Sequence, residues 1–253
     1  MQSPETQIRL YYETLHAAWG PQHWWPASST FEVIVGAYLT QNTSWTNVEI
    51  ALRRMRRAHV LSLRGIRGIS LQRLETLIRP AGYYRQKAAR LKTLVAFLDQ
   101  KYGGSLQKMF AQPTTLLREE LLALNGVGPE TADSILLYAG QHPVFVVDAY
   151  TRRILERHGL VAVQAKYDEV RHLCERALSS PPQPQFQKLE TRNQAFAFAH
   201  APSRMSRAKR SDLAQTFNDM HGLIVNVGKH HCFKSNPACE NCPLRTYLPK
   251  SAL

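Results

Sequence analysis

The sequence predicts an all-α protein built as a two-lobed helical bundle, and three observations support this prediction. Apolar residues recur at amphipathic-helix spacing through most of the 253 residues. A tight turn with two glycines separates two helical stretches near the middle of the chain. A further apolar helix, starting near residue 213, can pack back onto the N-terminal helix and close a second lobe.

The N-terminal part consists of amphipathic helices. Residues 6–19 form the first, and a second begins near residue 30 and breaks at Gln41 and Asn42. A third helix is predicted from Ser44 to Arg57. Three of the four tryptophans bracket these helices: Trp24, Trp25 and Trp45. Most tryptophans pack in a core, although rings beside such a break can also line an aromatic slot.

Between residues 61 and 98 the pattern stays helical and becomes basic. Four basic residues lie on or near one side of its second helix: Arg85, Lys87, Arg90 and Lys92. A charged stripe is usually a solvated face, but the formal net charge of +13 adds the expectation that some of these residues contact phosphate. Residues 105–115 are predicted to form a short loop.

The middle of the chain is predicted to form a helix, a glycine turn and a second helix. The turn is Asn125-Gly126-Val127-Gly128, and Pro129 opens the helix that follows. Backbone amides at such a helix start can grip a phosphate oxygen without reading sequence. An ordinary αα-hairpin with a C-capping glycine explains the turn equally well.

An apolar run, residues 143–147, ends at Asp148 directly before an amphipathic helix, where the commonest role of an aspartate is that of N-cap. Together, this aspartate and the hairpin at residues 116–139 resemble the helix-hairpin-helix DNA glycosylases of the endonuclease III superfamily. The stretches GAYLTQNTSW, GYYRQKAARL and GVGPETADSILLY are most similar to its 3-methyladenine glycosylase branch. The resemblance implies a helical-barrel lobe over residues 30–159, a terminal lobe of residues 1–29 and 160–253, and DNA in the cleft between them.

The resemblance also implies roles for individual residues. In the family, the hairpin holds the backbone of the damaged strand, here through Asn125, Gly126, Val127 and Gly128. A wedge loop, residues 40–45, fills the gap left by the extruded base, so the wedge is Gln41 or Asn42. Aromatic rings sandwich the base, which implies Trp25 and Trp45 and, less directly, Trp24. Ring faces attract a cationic base such as an N-alkylated purine.

The family position for a strand-cutting lysine holds Glu130 in this chain. A carboxylate cannot form the Schiff base that strand scission requires. The resemblance therefore implies a monofunctional glycosylase, in which Asp148 stabilises the positive charge that develops on the sugar. Two alternatives stay open: a monofunctional enzyme for uracil, thymine mismatches or oxidised pyrimidines, and a catalytically inactive DNA-binding protein. The intact Asp148 argues against the second.

Three of the four cysteines have the spacing of the first three ligands of the family's [4Fe–4S] cluster: Cys232, Cys239 and Cys242. The fourth ligand position, at the end of this Cys-rich loop (residues 232–248), is Leu248. A cluster with another ligand on its last iron is favoured over a zinc completed by His230 or His231, and a remnant without metal is also considered. Cys174 lies in a helical pattern and is predicted to be a buried apolar residue.

The sequence pI of about 9.9 points to nucleic acid as the partner, and the resemblance implies double-stranded DNA with a damaged base. No apolar stretch is long enough to span a membrane, and the N-terminus lacks the order of a signal peptide. We therefore expect a monomer in the cytoplasm, associated with the nucleoid. Residues 180–212, rich in proline and basic residues, are predicted to be an insertion or linker that holds DNA loosely.

Overall fold

A computed structural model describes residues 2–179 and 202–249. Within these ranges all regular secondary structure is helical, which confirms the predicted fold class. The α-helices are α1 (Pro4–Trp19), α2 (Thr30–Thr40), α3 (Trp45–Arg57), α4 (Leu63–Gly68), α5 (Leu71–Ile78), α6 (Tyr84–Tyr102), α7 (Leu106–Phe110), α8 (Thr114–Leu122), α9 (Pro129–Ser134), α10 (Ala149–Arg157), α11 (Tyr167–Ser179) and α12 (Asp212–His230). Most of the predicted linker, residues 180–201, lies outside the described residues.

Shorter helical turns complete the fold. A π-helical turn, Ile135–Ala139, continues α9, and 3₁₀ turns occur at Arg79–Ala81, Cys239–Asn241 and Arg245–Tyr247. The predicted loop at residues 105–115 contains α7, because Ser105 caps that helix by accepting from the amide of Lys108 and Met109 is fully buried. No helix in the described part of the chain is both long and apolar enough to cross a lipid bilayer.

The chain divides into two compact units. A terminal unit comprises Met1–Pro26 with Pro143–Leu253, and a central unit comprises Ala27–His142. The second boundary differs from the expected one at residues 159 and 160, because α10 packs against α12 and so belongs with the terminal segments. Asp148, at the start of α10, therefore lies in the terminal unit.

In the terminal unit, α1 packs against α11 and α12. The buried face of α1 includes Ile8 and Leu15, which are completely inaccessible to solvent. Arg9 is also buried, and it donates hydrogen bonds to the carbonyls of Ala177 (3.1 Å) and Leu178 at the end of α11. These bonds satisfy carbonyls that have no partner within their own helix.

The central unit is built around α2, which is apolar on all sides and packs against α3, α6 and the π-helical turn. Serines begin most of its helices, because a serine hydroxyl accepts from a backbone amide of the first turn. The serines that do so are Ser29, Ser44, Ser62, Ser70 and Ser105. The predicted break after α2 is present at residues 41–44.

Candidate active site

The glycine hairpin of the central unit joins α8 to α9. Gly126 has a φ of +79°, a conformation that only glycine adopts without strain, and the amide of Val127 donates to the carbonyl of Leu124 (3.0 Å). The side chain of Val127 is buried, whereas Gly128 is exposed and forms the N-cap of α9. A methyl group added at Gly128 would meet no heavy atom within 4 Å.

An ion pair holds the two helices of the hairpin together. The guanidinium of Arg118 on α8 donates to both carboxylate oxygens of Asp133 on α9, at 2.7 and 3.1 Å. Asp133 is completely buried, so loss of either partner would leave a charge without compensation inside the protein. Glu130, at the position expected for a strand-cutting lysine, is exposed on the first turn of α9.

A brace connects the hairpin to the break after α2. The amide nitrogen of Gln41 donates to the carbonyl of Gly126 and to the hydroxyl of Thr131, both at 2.9 Å. The guanidinium of Arg90 donates to the amide oxygen of Gln41 (2.9 Å). The side chain of Arg90 lies directly beneath Gly126, where an added Cβ would be 1.9 Å from its Nε atom. The side chain of Gln41 is thus fully engaged within the central unit.

Asn42 is placed differently from Gln41. It is exposed and has a φ of +51°, in the left-handed region that asparagine tolerates better than most residues. The backbone at this point is fixed by Lys87, whose ammonium donates to the carbonyls of Leu39 (2.9 Å), Gln41 (2.7 Å) and Ala81 (2.8 Å). Burial, helped by the charge of Arg90, lowers the pKa of Lys87 to about 8.

The basic stripe on α6 serves mainly internal contacts. Lys87 and Arg90 are bound as described, and Lys92 donates to the carbonyls of Ile66 (2.6 Å) and Arg67 (3.2 Å). Of the four residues expected on this stripe, Arg85 is the one classed as exposed. Lys87 and Lys92 thus donate to backbone carbonyls, and Arg90 donates to the amide oxygen of Gln41. Phosphate contact by some members of the stripe stays a prediction, for which Arg85 is the exposed candidate.

Asp148 is the N-cap of α10 in the terminal unit. Its Oδ1 atom accepts from the backbone amide (2.7 Å) and the hydroxyl (2.9 Å) of Thr151. Its Oδ2 atom lies 3.6 Å from Nε2 of His221 on α12, and 13% of its side chain is exposed. Burial opposes ionisation, but His221 and the two Thr151 donors outweigh it, so the pKa of Asp148 is held below its ordinary value.

The tryptophans differ in exposure. Trp25 is 6% exposed and meets the half-buried Trp24 edge-on, with ring centroids 5.6 Å apart. The ring of Trp24 also lies 6.4 Å from that of His221, and the ammonium of Lys229 is 5.8 Å from the Trp24 centroid. Trp24, rather than Trp25, thus shares its surroundings with His221 and, through it, with Asp148. Trp45 belongs to the central unit, as the first residue of α3.

The three spaced cysteines line one enclosed cavity. Its remaining wall is formed by Arg157, His158, Val227, His231, Leu244 and Leu248. Arg157 donates a hydrogen bond to the sulfur of Cys232 (3.0 Å). Burial raises the pKa of the Cys242 thiol, and the neighbouring Cys232 and Cys239 raise it further. Within residues 2–179 and 202–249 no group of three or more His, Cys, Asp or Glu side chains is arranged to hold a metal ion. Cys174 is buried, as predicted.

Two contacts in this arrangement have no signal in the sequence. His221 lies far from Asp148 along the chain, and a histidine within an apolar helix gives no pattern that predicts such a contact. The brace of Gln41 and Arg90 likewise joins residues whose pairing no local spacing reveals. The helical fold, the glycine hairpin and the acid at the start of α10 are the features on which the resemblance to DNA glycosylases rests.

Comparisons with known proteins identify the family. A model of the HhH-GPD superfamily of base excision DNA repair proteins matches residues 35–180. A putative DNA repair glycosylase of Methanocaldococcus jannaschii is 39% identical over 241 residues, which cover 95% of this chain and 94% of that protein. The chain therefore belongs to the HhH-GPD superfamily, and it is an enzyme that acts on DNA.

Solved structures agree with this assignment. The 3-methyladenine DNA glycosylase MagIII of Helicobacter pylori, bound to 1,N6-ethenoadenine, is 28% identical, with a TM-score of 0.67 over 90% of this chain and 98% of that one. An endonuclease III trapped in a covalent intermediate with DNA has a TM-score of 0.70 over 98% of this chain and 96% of that one. Its identity is 21%, so this second likeness concerns the fold.

Proposed function

We propose that this protein is a monofunctional DNA glycosylase, which hydrolyses the bond between a damaged base and its sugar and leaves the strand intact. The observation that supports this proposal is that Glu130 occupies the lysine position of the hairpin, while the carboxylate of Asp148 is present and partly exposed. An amine at that position would attack the sugar and form an imine, which a carboxylate cannot do. Water is then the nucleophile, and an abasic site is the product.

Asp148 acts in this reaction through its charge. As the glycosidic bond breaks, positive charge develops on the sugar, and a fixed carboxylate beside it lowers the barrier. Oδ1 is committed to capping α10, so Oδ2 is the atom that faces the sugar and orients the attacking water. The lowered pKa keeps this carboxylate ionised at neutral pH.

We propose an alkylated purine as the substrate. Support comes from the half-buried ring of Trp24 near the His221–Asp148 pair and from the likeness to MagIII, which was captured with 1,N6-ethenoadenine. Within the terminal unit, the base would stack on Trp24, and Trp25 meets Trp24 edge-on. Because Lys229 already places a cation near Trp24, a neutral adduct is accommodated on that ring at least as readily as a cationic one.

The hairpin binds the DNA backbone, and the loop after α2 inserts a side chain into the duplex. The exposed Gly128, at the start of α9, offers an open approach for a phosphate, and Asn125, Gly126 and Val127 shape the turn. Because Gln41 is bound within the central unit, Asn42 is the residue that enters the gap left by the base. The net charge of +13 favours DNA and disfavours self-association, so the enzyme acts as a cytoplasmic monomer at the nucleoid.

The Cys-rich loop suits an iron–sulfur cluster better than a single zinc ion. The three cysteines supply the soft thiolate ligands that iron–sulfur clusters use, at the spacing of the family's cluster loop. Cys232, Cys239 and Cys242 line one cavity and would supply three ligands, whereas Leu248 offers none for the fourth position. His158 is bound to Tyr11 (2.7 Å), whereas Nδ1 of His231 is buried without a hydrogen bond among the described residues, which makes it the candidate fourth ligand. Such a cluster would pin the loop structurally.

A lesion panel tests the proposal. Duplexes that each carry one lesion (3-methyladenine, 1,N6-ethenoadenine, uracil, a thymine mismatch or an oxidised pyrimidine) are incubated with the protein and divided, and half of each is treated with alkali. We expect cleavage of an alkylated-purine duplex after alkali and an intact strand without it. Cleavage before alkali would refute the monofunctional proposal. The visible absorbance and iron content of the same preparation report the cluster, and the absence of both would remove it from the account.

A further inference from the structure

His221 is the ionisable side chain that faces the second oxygen of Asp148. Nε2 of His221 lies 3.6 Å from Oδ2, which is an ion-pair distance when the imidazole is protonated. His221 is 5% exposed and sits in the middle of α12, so packing fixes its position. The two oxygens of Asp148 therefore have different neighbours: Thr151 holds Oδ1 and His221 faces Oδ2.

The contact between His221 and Asp148 connects α12 to the N-terminus of α10. α10 and α12 pack against each other, and Gly228 allows the close approach, because a Cβ there would lie 2.2 Å from the ring of Tyr150. The charged groups near this point include Asp148 at the start of α10 and Lys229 beside the Trp24 ring. Arg153 is also there, since its guanidinium donates to the carbonyl of Gly228 (3.3 Å) and lies 5.0 Å from the centroid of the Tyr150 ring. A carboxylate that is largely withdrawn from water needs such a partner in order to stay ionised.

We propose that His221 is a positioning residue of base release: it holds Asp148 in its ionised form and keeps Oδ2 directed at the everted nucleotide. This inference rests on the proposed function of Asp148. His221 also contacts Trp24, with ring centroids 6.4 Å apart, so it ties the acid to the ring on which the base stacks. A histidine that merely filled space in the core would contribute stability and leave the ionisation of Asp148 unchanged.

The test is the pH dependence of base release under single-turnover conditions, with a 1,N6-ethenoadenine duplex or the best substrate of the lesion panel. His221→Gln keeps a polar side chain and removes the imidazole, with the charge that the ring carries when it is protonated. In this variant Asp148 should protonate at higher pH, because the opposing charge is gone and burial remains. We expect the loss of rate between pH 8 and pH 5 to be roughly tenfold larger than in the wild type, since one unit of pKa is a factor of ten in ionisation.

Val225→Ala is the matched control, because it removes buried atoms from the same helix at a residue that is 4% exposed. It should lower the melting temperature and leave the pH profile where it is. Affinity for the duplex at pH 8 should be the same in His221→Gln and the wild type. If His221→Gln does not fold, His221→Asn is measured in its place.

Comparison of the Asp148 and His221 variants distinguishes failure of the proposed function of Asp148 from failure of the proposed role of His221. If Asp148→Asn releases base at the wild-type rate, the proposed function of Asp148 is wrong. If Asp148→Asn is inactive and the profile of the His221 variant coincides with that of the wild type, His221 is a packing residue and the present inference is overturned. The proposal is supported if the base-release rate falls at higher pH in the His221 variant than in the wild type, and if Val225→Ala does not show this shift.

Discussion

At Asp148, the structure shows the helix cap that the local pattern predicts, together with a contact that it does not predict. The aspartate caps α10 through Oδ1, which is the simplest interpretation of its position, and it presents Oδ2 to His221. The local pattern predicted the first role, because an N-cap depends on neighbouring residues. The second depends on α12, whose contact with residue 148 no local pattern reveals.

Gln41 and Asn42 were equivalent candidates for the wedge in the sequence, and their contacts distinguish them. We predict that Asn42→Gly slows base release while the melting temperature stays nearly the same, because the side chain is exposed and glycine adopts its positive φ without strain. Gln41→Ala should instead destabilise the protein by about 1–3 kcal/mol, because it leaves partners of the brace without hydrogen bonds. Thermal melts and single-turnover rates of both variants check this, and a stable Gln41→Ala with slowed base release would return the wedge to Gln41.

At the scale of elements, the helices were predicted well where their signals are local. The break between α2 and α3 follows from polar residues and a capping serine, and the hairpin follows from its glycines. The sequence could not show which members of the basic stripe on α6 face inward, because a charged side chain that donates to backbone carbonyls has the same sequence pattern as one that faces solvent. α7 was missed because it is short.

The two hairpin glycines provide a matched pair of substitutions. Gly126→Ala should cost about 1–2 kcal/mol through its positive φ, and it displaces Arg90 from beneath the turn. Gly128→Ala should change the stability little, because its φ of −92° and the open space suit a methyl group, while alanine is a poorer N-cap than glycine.

If Gly128 faces DNA, its alanine variant binds a duplex more weakly although it is stably folded. Denaturant unfolding and fluorescence-anisotropy titrations measure the two effects separately. Unchanged affinity in Gly128→Ala would exclude this part of the hairpin from the DNA contact.

At the scale of the whole molecule, the family, the helical class and the presence of two units were accessible from the sequence. The boundary between the units was not, because α10 follows the hairpin in the chain but packs on α12, a partner far along the sequence. That packing places Asp148 on the unit formed by the two ends of the chain. The net charge of +13 indicated a nucleic-acid partner, but it could not show which basic residues are free to meet it.

The most direct test of the account compares Asp148→Asn with the wild type in single-turnover base release and in duplex binding on the same lesion. Asparagine keeps an oxygen that can cap α10, so the fold should persist, while the charge that stabilises the sugar is removed. We predict a fall in the base-release rate of about 10²- to 10³-fold with duplex affinity nearly unchanged. Base release by Asp148→Asn at the wild-type rate would contradict the account.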